Sequence, residues 1–128
     1  MKKERIAVLL MLVLAAVSLA AYQFLSPKPV EGAKEITVNV DHLAGEDTSF
    51  TFTTQAEYLR QALEEQELAA GEESEYGLWV QTVDGETADE SKQEWWGYDI
   101  NGVQAEYGVD SQPIADGDVI LFTLHVGW

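Results

Sequence analysis

Twenty consecutive residues, Ile6 to Leu25, carry no charge, and this run constrains the chain more than any other feature of it. Only Ser18, Tyr22 and Gln23 within it are polar or amphipathic. At about 1.5 Å of rise per residue a helix of this length spans about 30 Å, the thickness of a bilayer's hydrocarbon core. Lys2, Lys3 and Arg5 precede it, and a basic flank stays on the cytoplasmic side. The expectation is a single-pass protein of the cell membrane whose C-terminal part lies outside the cytoplasm. An N-terminal transmembrane helix and a cleaved signal peptide share this charge pattern. Ser18-Leu19-Ala20 offers a small-x-small cleavage site, so secretion after cleavage is the alternative. The apolar run continues past that site through Tyr22 and Phe24, which suit the outer interface of a spanning helix and favour an anchor.

Residues 1–25 thus form the signal-anchor or signal peptide. Residues 26–34, with Pro27 and Pro29 among small and charged residues, read as a short stiff spacer. Residues 35–128 are long enough for one domain with one core. From Ile36 onward twenty acidic residues face only Arg60 and Lys92, and the whole chain has a formal net charge of −16. Such a surface repels phosphate backbones, so no nucleic-acid partner is expected. The chain has no cysteine, which excludes disulfides, thiolate catalysis and attachment of a lipid through an N-terminal Cys.

Residues 35–41 alternate apolar and polar with a strand's period of two, and 49–53 do so again after the turn residues Gly45 and Asp47. Thr54-Gln55-Ala56-Glu57 fits a capping box opening a helix whose stripe is Ala56, Leu59, Ala62 and Leu63, with Gly71 ending it. Strands follow at 77–83 and 94–100, separated by a polar loop from Asp84 to Gln93. Asn101-Gly102 signals a tight turn. The last strand, 119–126, is apolar on both faces up to Phe122, as in a central strand covered on both sides. This order predicts an α+β fold with a β-grasp-like mixed sheet and one packed helix.

No catalytic set emerges, and the protein is read as not an enzyme. His42 and His125 stand in no motif, and no Ser occupies a nucleophile-elbow context. Asp84 to Glu90 collects oxygen ligands around Gly85 but lacks EF-hand spacing, so a solvated loop is expected rather than a calcium or other metal site. The aromatic residues are more informative. Tyr76, Trp79, Trp95, Trp96, Tyr98 and Tyr107 fall close together in sequence, and alternation places Trp95 opposite Trp96 and Tyr98. Some of these rings are therefore exposed or interfacial, available to a large, partly apolar ligand or a protein partner.

The ordered set Glu72 to Gly85, Trp95-Trp96, Asn101-Gly102, Gly108-Val109 and Asp116-Gly117-Asp118 resembles the transcobalamin-like C-terminal domain family. Bacterial members of that family are small exported or anchored proteins of unknown function. The resemblance spans residues 35–128 and does not extend to the helical barrel domain that holds cobalamin in transcobalamin and intrinsic factor. It implies a ligand-binding surface made by Tyr76, Gly77, Leu78, Trp79 and Val80, by Trp96, Gly97, Tyr98, Asp99, Asn101 and Gly102, and by Asp118. The implied ligand is cobalamin or a related bulky small molecule, with no resident cofactor. A membrane transporter subunit is the implied partner. A cell-surface protein-interaction or adhesion module without a small-molecule ligand is the alternative.

Overall fold

A computed structural model describes residues 31–128. The apolar run at 6–25 and the start of the spacer lie outside the described residues. Among the described residues, no helix is long and apolar enough to cross a membrane.

A five-stranded mixed sheet organises the domain. β1 (Lys34–Asp41) and β2 (Thr48–Thr54) form the expected hairpin, in register from Lys34 opposite Thr54 to Val40 opposite Thr48. β8 (Val119–Val126) lies parallel to β1 on its other side, and β6 (Glu94–Ile100) runs antiparallel to β8. A two-residue turn at Asn101 (φ 51°) and Gly102 (φ 80°) leads from β6 into β7 (Val103–Gln104), giving the order β2-β1-β8-β6-β7. Lys34, assigned from sequence to the spacer, instead opens β1 and is buried. Its ammonium donates to Ala56 O at 2.8 Å and Gly32 O at 3.1 Å.

Alternation along these strands sends one set of side chains inward. Ile36, Val38 and Val40 of β1 and Ile120, Phe122 and Leu124 of β8 are buried together. Each such side chain contributes about 1.5–3 kcal/mol by leaving water. The outer face of β8 is only half covered, at Leu121 and Thr123, and His125 is exposed. β8 is therefore central but not covered on both faces, because the helix and the second sheet both pack on the inner side.

The helix differs from expectation at both ends. α1 is only Leu59–Glu65, and no side chain caps it. The capping box does not form, because the first helical amides are already taken: Leu59 N–H donates to Gln112 O and Arg60 N–H to Val109 O. Thr54 ends β2 instead, its hydroxyl donating to Glu65 Oε2 at 2.7 Å and accepting from Ala56 N–H at 3.0 Å. Glu67, at φ 53°, turns the chain out of α1, and Leu68 N–H returns to Leu63 O. Gly71 is therefore not a helix cap. It lies in β3 (Ala69–Ser74), which pairs with β4 (Gly77–Val83) in a second sheet completed by β5 (Glu86–Thr87), in the order β3-β4-β5.

At Gly71 the two strands approach so closely that a Cβ would sit 1.8 Å from Trp79 O. The register shifts there, Ala70 facing Thr82 while Gly71 faces Val80, so Gln81 is the extra residue of a bulge. The bulge resets the alternation, and Leu78, Val80 and Val83 can all meet the core. Within the supposed polar loop, Asp84-Gly85 forms a second tight turn (φ 47° and 79°) into β5 (Glu86–Thr87), followed by a 3-10 turn at Glu90–Lys92.

Candidate functional site

The pairing of β6 with β8 decides where the aromatic residues go. Trp96 points inward and is 9% exposed; its indole N–H donates to Glu86 O at 3.1 Å. Trp95 points outward opposite His125, and the two rings stack with centroids 4.2 Å apart and planes 21° apart. The Trp95 indole N–H is held by Gly127 O at 2.9 Å. The next outward pair is Gly97 with Thr123, and the missing side chain at 97 matters: a Cβ there would lie 2.9 Å from the Trp95 ring and 3.2 Å from His125 Nε2.

This bare backbone is the floor of a depression of about 250 Å³ lined by Trp95, Gly97, Tyr98, Asp99, Gln104 and His125. A separate depression of about 210 Å³ touches Gln104 but is lined by Ile100, Val103, Tyr107 and Gln112, on the inward phase of the β6–β7 hairpin. The first depression is a shallow groove on the outer face of β6 and β8 beside the β6–β7 hairpin. Tyr98 fixes its wall: the ring packs on Phe122 at 5.3 Å and the hydroxyl donates to Tyr107 O. Burial pushes the Tyr98 phenol well up from its ordinary value, so it stays a neutral donor. Among the described residues no hydrogen bond engages the His125 ring, and Gln104 offers an amide from the shared rim.

The residues singled out from sequence fall into three places. Gly97, Tyr98 and Asp99 line the groove, and Trp96 backs it from the core. Tyr76 and Trp79 are 88% and 55% exposed at the β3–β4 hairpin, while Leu78 and Val80 pack against the core. Gly77, at φ 105°, turns tightly over Asp110, whose carboxylate accepts from Leu78 N–H at 3.0 Å. Burial raises the Asp110 pKa, but the Leu78 amide and the Arg60 guanidinium outweigh it and hold the carboxyl below its usual range. Asn101 and Asp118 face each other, with Asn101 Nδ2 donating to Asp118 Oδ1 at 2.9 Å and Asn101 Oδ1 accepting from Val119 N–H. They lock the Asn101-Gly102 turn onto the start of β8. His125 and Gln104 of the groove were not singled out as contacts, and Trp95 was singled out only as one of the aromatic rings, its outward phase legible in the alternation.

A separate polar cluster joins the two sheets. His42, with its side chain 8% exposed, sits between Glu86 (Nδ1 to Oε1, 2.9 Å) and Asp84 (Nε2 to Oδ2, 2.9 Å). Burial pulls the imidazole pKa down, but hydrogen bonds to Asp84 and Glu86 together raise it above the ordinary value. The Thr48 hydroxyl and His42 hold Asp84 low against its burial. Burial pushes Glu86 up, and the Ala44 amide, His42 and the Leu43 amide more than offset it. The two ring nitrogens face different carboxylates, which makes this cluster an ion-pair clasp. Among the described residues no group of three or more His, Asp or Glu side chains is arranged to hold a metal ion. In the Asp84–Glu90 segment, Asp89 is also engaged, accepting from Ser91 N–H and Oγ–H. From the sequence Asp84-Gly85 was read only as part of a polar loop, and neither its tight turn nor its partner forty-two residues earlier was foreseen.

Comparison with known proteins adds the following. The family described as Domain of unknown function (DUF4430) matches residues 53–126, more than half of the chain. The crystal structure of a candidate metal-binding protein from Ruminococcus gnavus ATCC 29149 is similar at 45% identity and a TM-score of 0.71, covering 74% of this chain and 99% of that one. Haptocorrin in complex with Cbi is similar in fold, with a TM-score of 0.61 at 13% identity, over 77% of this chain and 26% of haptocorrin. The chain thus spans about a quarter of haptocorrin's length. No curated protein matches the sequence.

Proposed function

The chain belongs to the family described as Domain of unknown function (DUF4430), and from that premise we propose that its folded part is a ligand-binding module for cobalamin, cobinamide or a related bulky small molecule. The observation that carries this reading is the groove beside the β6–β7 hairpin. It joins a stacked Trp95–His125 pair, a bare glycine floor, the Gln104 amide and the Asp99 carboxylate on one open surface. A corrin is large, apolar at its edges and fringed with amides, and aromatic faces beside hydrogen-bonding groups suit that chemistry. The fold supports it too: we read the sheet, with its first and last strands parallel at the centre, as β-grasp-like and related to the transcobalamin-like C-terminal domain.

The groove is open, so it covers one edge of such a ligand rather than enclosing it. The remaining surface then falls to a second protein, and a membrane transporter subunit is the partner we propose. The apolar run at Ile6 to Leu25 would hold the module beside that partner, outside the cytoplasm, within reach of one short spacer. In this reading the protein captures and hands over its ligand and carries out no chemistry on it.

Titration of the full chain with cobalamin and with cobinamide tests the proposal, read by tryptophan fluorescence and visible absorbance. Saturable quenching is expected, since Trp95 lines the groove and Trp96 lies behind it. No change with either corrinoid at high micromolar concentration would contradict binding by this module alone.

A further inference from the structure

β2 is the outer strand of the five-stranded sheet, seven residues long and paired with β1 without a bulge. Beyond that pairing, no backbone hydrogen bond of Thr48 to Thr54 reaches another described residue. Alternate N–H and C=O groups along its free side are therefore left to water. Soluble proteins blunt such an edge with a charge, a proline, a bulge or a covering element. The strand Thr48-Ser49-Phe50-Thr51-Phe52-Thr53-Thr54 has no charge, proline or bulge.

The edge is also held in one register. Phe50 and Phe52 pack against the core, Thr51 Oγ1 pairs with Thr37 Oγ1 at 3.1 Å, and Ser49 Oγ donates to Asn39 Oδ1 at 2.6 Å. A fixed register makes the strand a preorganised template, which reduces the ordering cost of adding another.

Charge around the edge has one sign. Glu46 and Asp47 precede the strand, Glu35 lies opposite Thr53, and Glu65 meets Thr54 at its far end. The nearby Lys34 is buried with its ammonium already bonded to two carbonyls. A second copy of a chain with net charge −16 is repelled from this edge.

We infer that β2 receives an extended, basic segment of a partner protein as a sixth strand. Main-chain hydrogen bonds supply the attraction, and the acids at the two ends select Lys or Arg about seven residues apart, a span of roughly 23 Å. β2 and the groove-bearing β7 are opposite edges of the sheet, so this interaction leaves the ligand groove free and does not depend on it.

The test is amide hydrogen exchange on the full chain with an eight-residue probe peptide of alternating Thr and Val carrying Lys at both ends. Exchange across 48–54 should slow by about tenfold or more at millimolar peptide, and less as salt is raised. A control peptide of the same charge with a central proline should give no protection, and the exposed turn substitution E46K should weaken the effect several-fold. Equal protection by the proline peptide would overturn the inference, as would none at all or protection only elsewhere. Protection in the free chain of the amides of 48–54 that point away from β1 would also overturn it, assigning the edge to a second copy if it depends on concentration and to the chain's own N-terminal residues if it does not.

Discussion

Gly71 shows how a single position carries the second sheet. With a Cβ placed 1.8 Å from a backbone oxygen, G71A has to break the β3–β4 bulge, and we expect a loss of several kcal/mol in urea unfolding. G108A, where a Cβ meets nothing within 4 Å, should change stability by less than about 1 kcal/mol. Equal losses at the two sites would refute the close approach. The sequence marked Gly71 as a helix end because glycine serves both purposes, and only the pairing across the hairpin tells them apart. His42 gives a pH dependence. Its raised pKa means that its stabilisation is present in full below the ordinary histidine value of 6.5 and is lost as pH rises through the folded value. The lowered values of Asp84 and Glu86 act at the other limb, their contribution being lost as pH falls below the ordinary 3.8 and 4.5. Stability from the clasp therefore peaks between about pH 4.5 and 6.5. H42Q should flatten the alkaline limb of unfolding free energy measured from pH 5 to 9; an unchanged slope would show that another group titrates there.

At the scale of elements, legibility followed pattern strength. The four long strands of the main sheet were readable because β-branched and aromatic residues alternate in them, and Asn101-Gly102 announced its turn. β3 was not readable. Ala69-Ala70-Gly71-Glu72-Glu73-Ser74 contains no β-branched residue and exists as a strand because β4 pairs with it. α1 was half legible: Leu59, Ala62 and Leu63 of its expected stripe are buried, but its start is set by carbonyls of the 109–112 segment that no local rule could reveal. A seven-residue helix cannot stand alone in water, so its stability comes from Leu59, Ala62 and Leu63 against the sheet. L59A should accordingly cost about 2–5 kcal/mol by chemical denaturation. A loss below about 1 kcal/mol would mean that the helix is dispensable to the core.

Over the whole molecule, twenty-one acidic residues spread across the domain 35–128 made proximity arguments from sequence uninformative, and the aromatic residues carried the information instead. Their partition followed the strand phase: Trp96 and Tyr98 support the core, and Trp95 meets His125 outside it. The stack itself depends on β8 lying beside β6, thirty residues apart in sequence, which is why His125 read as an ordinary strand residue. Asn101 and Asp118, both singled out as ligand contacts, bond to one another and to backbone, while Gln104 lines the groove. The most direct measurement of the central claim is hydrogen exchange of the full chain with and without cobinamide. Protection is expected to centre on 94–107 and on the end of β8 around His125. Protection confined to the exposed Tyr76–Trp79 hairpin, or no protection at saturating corrinoid, would contradict it.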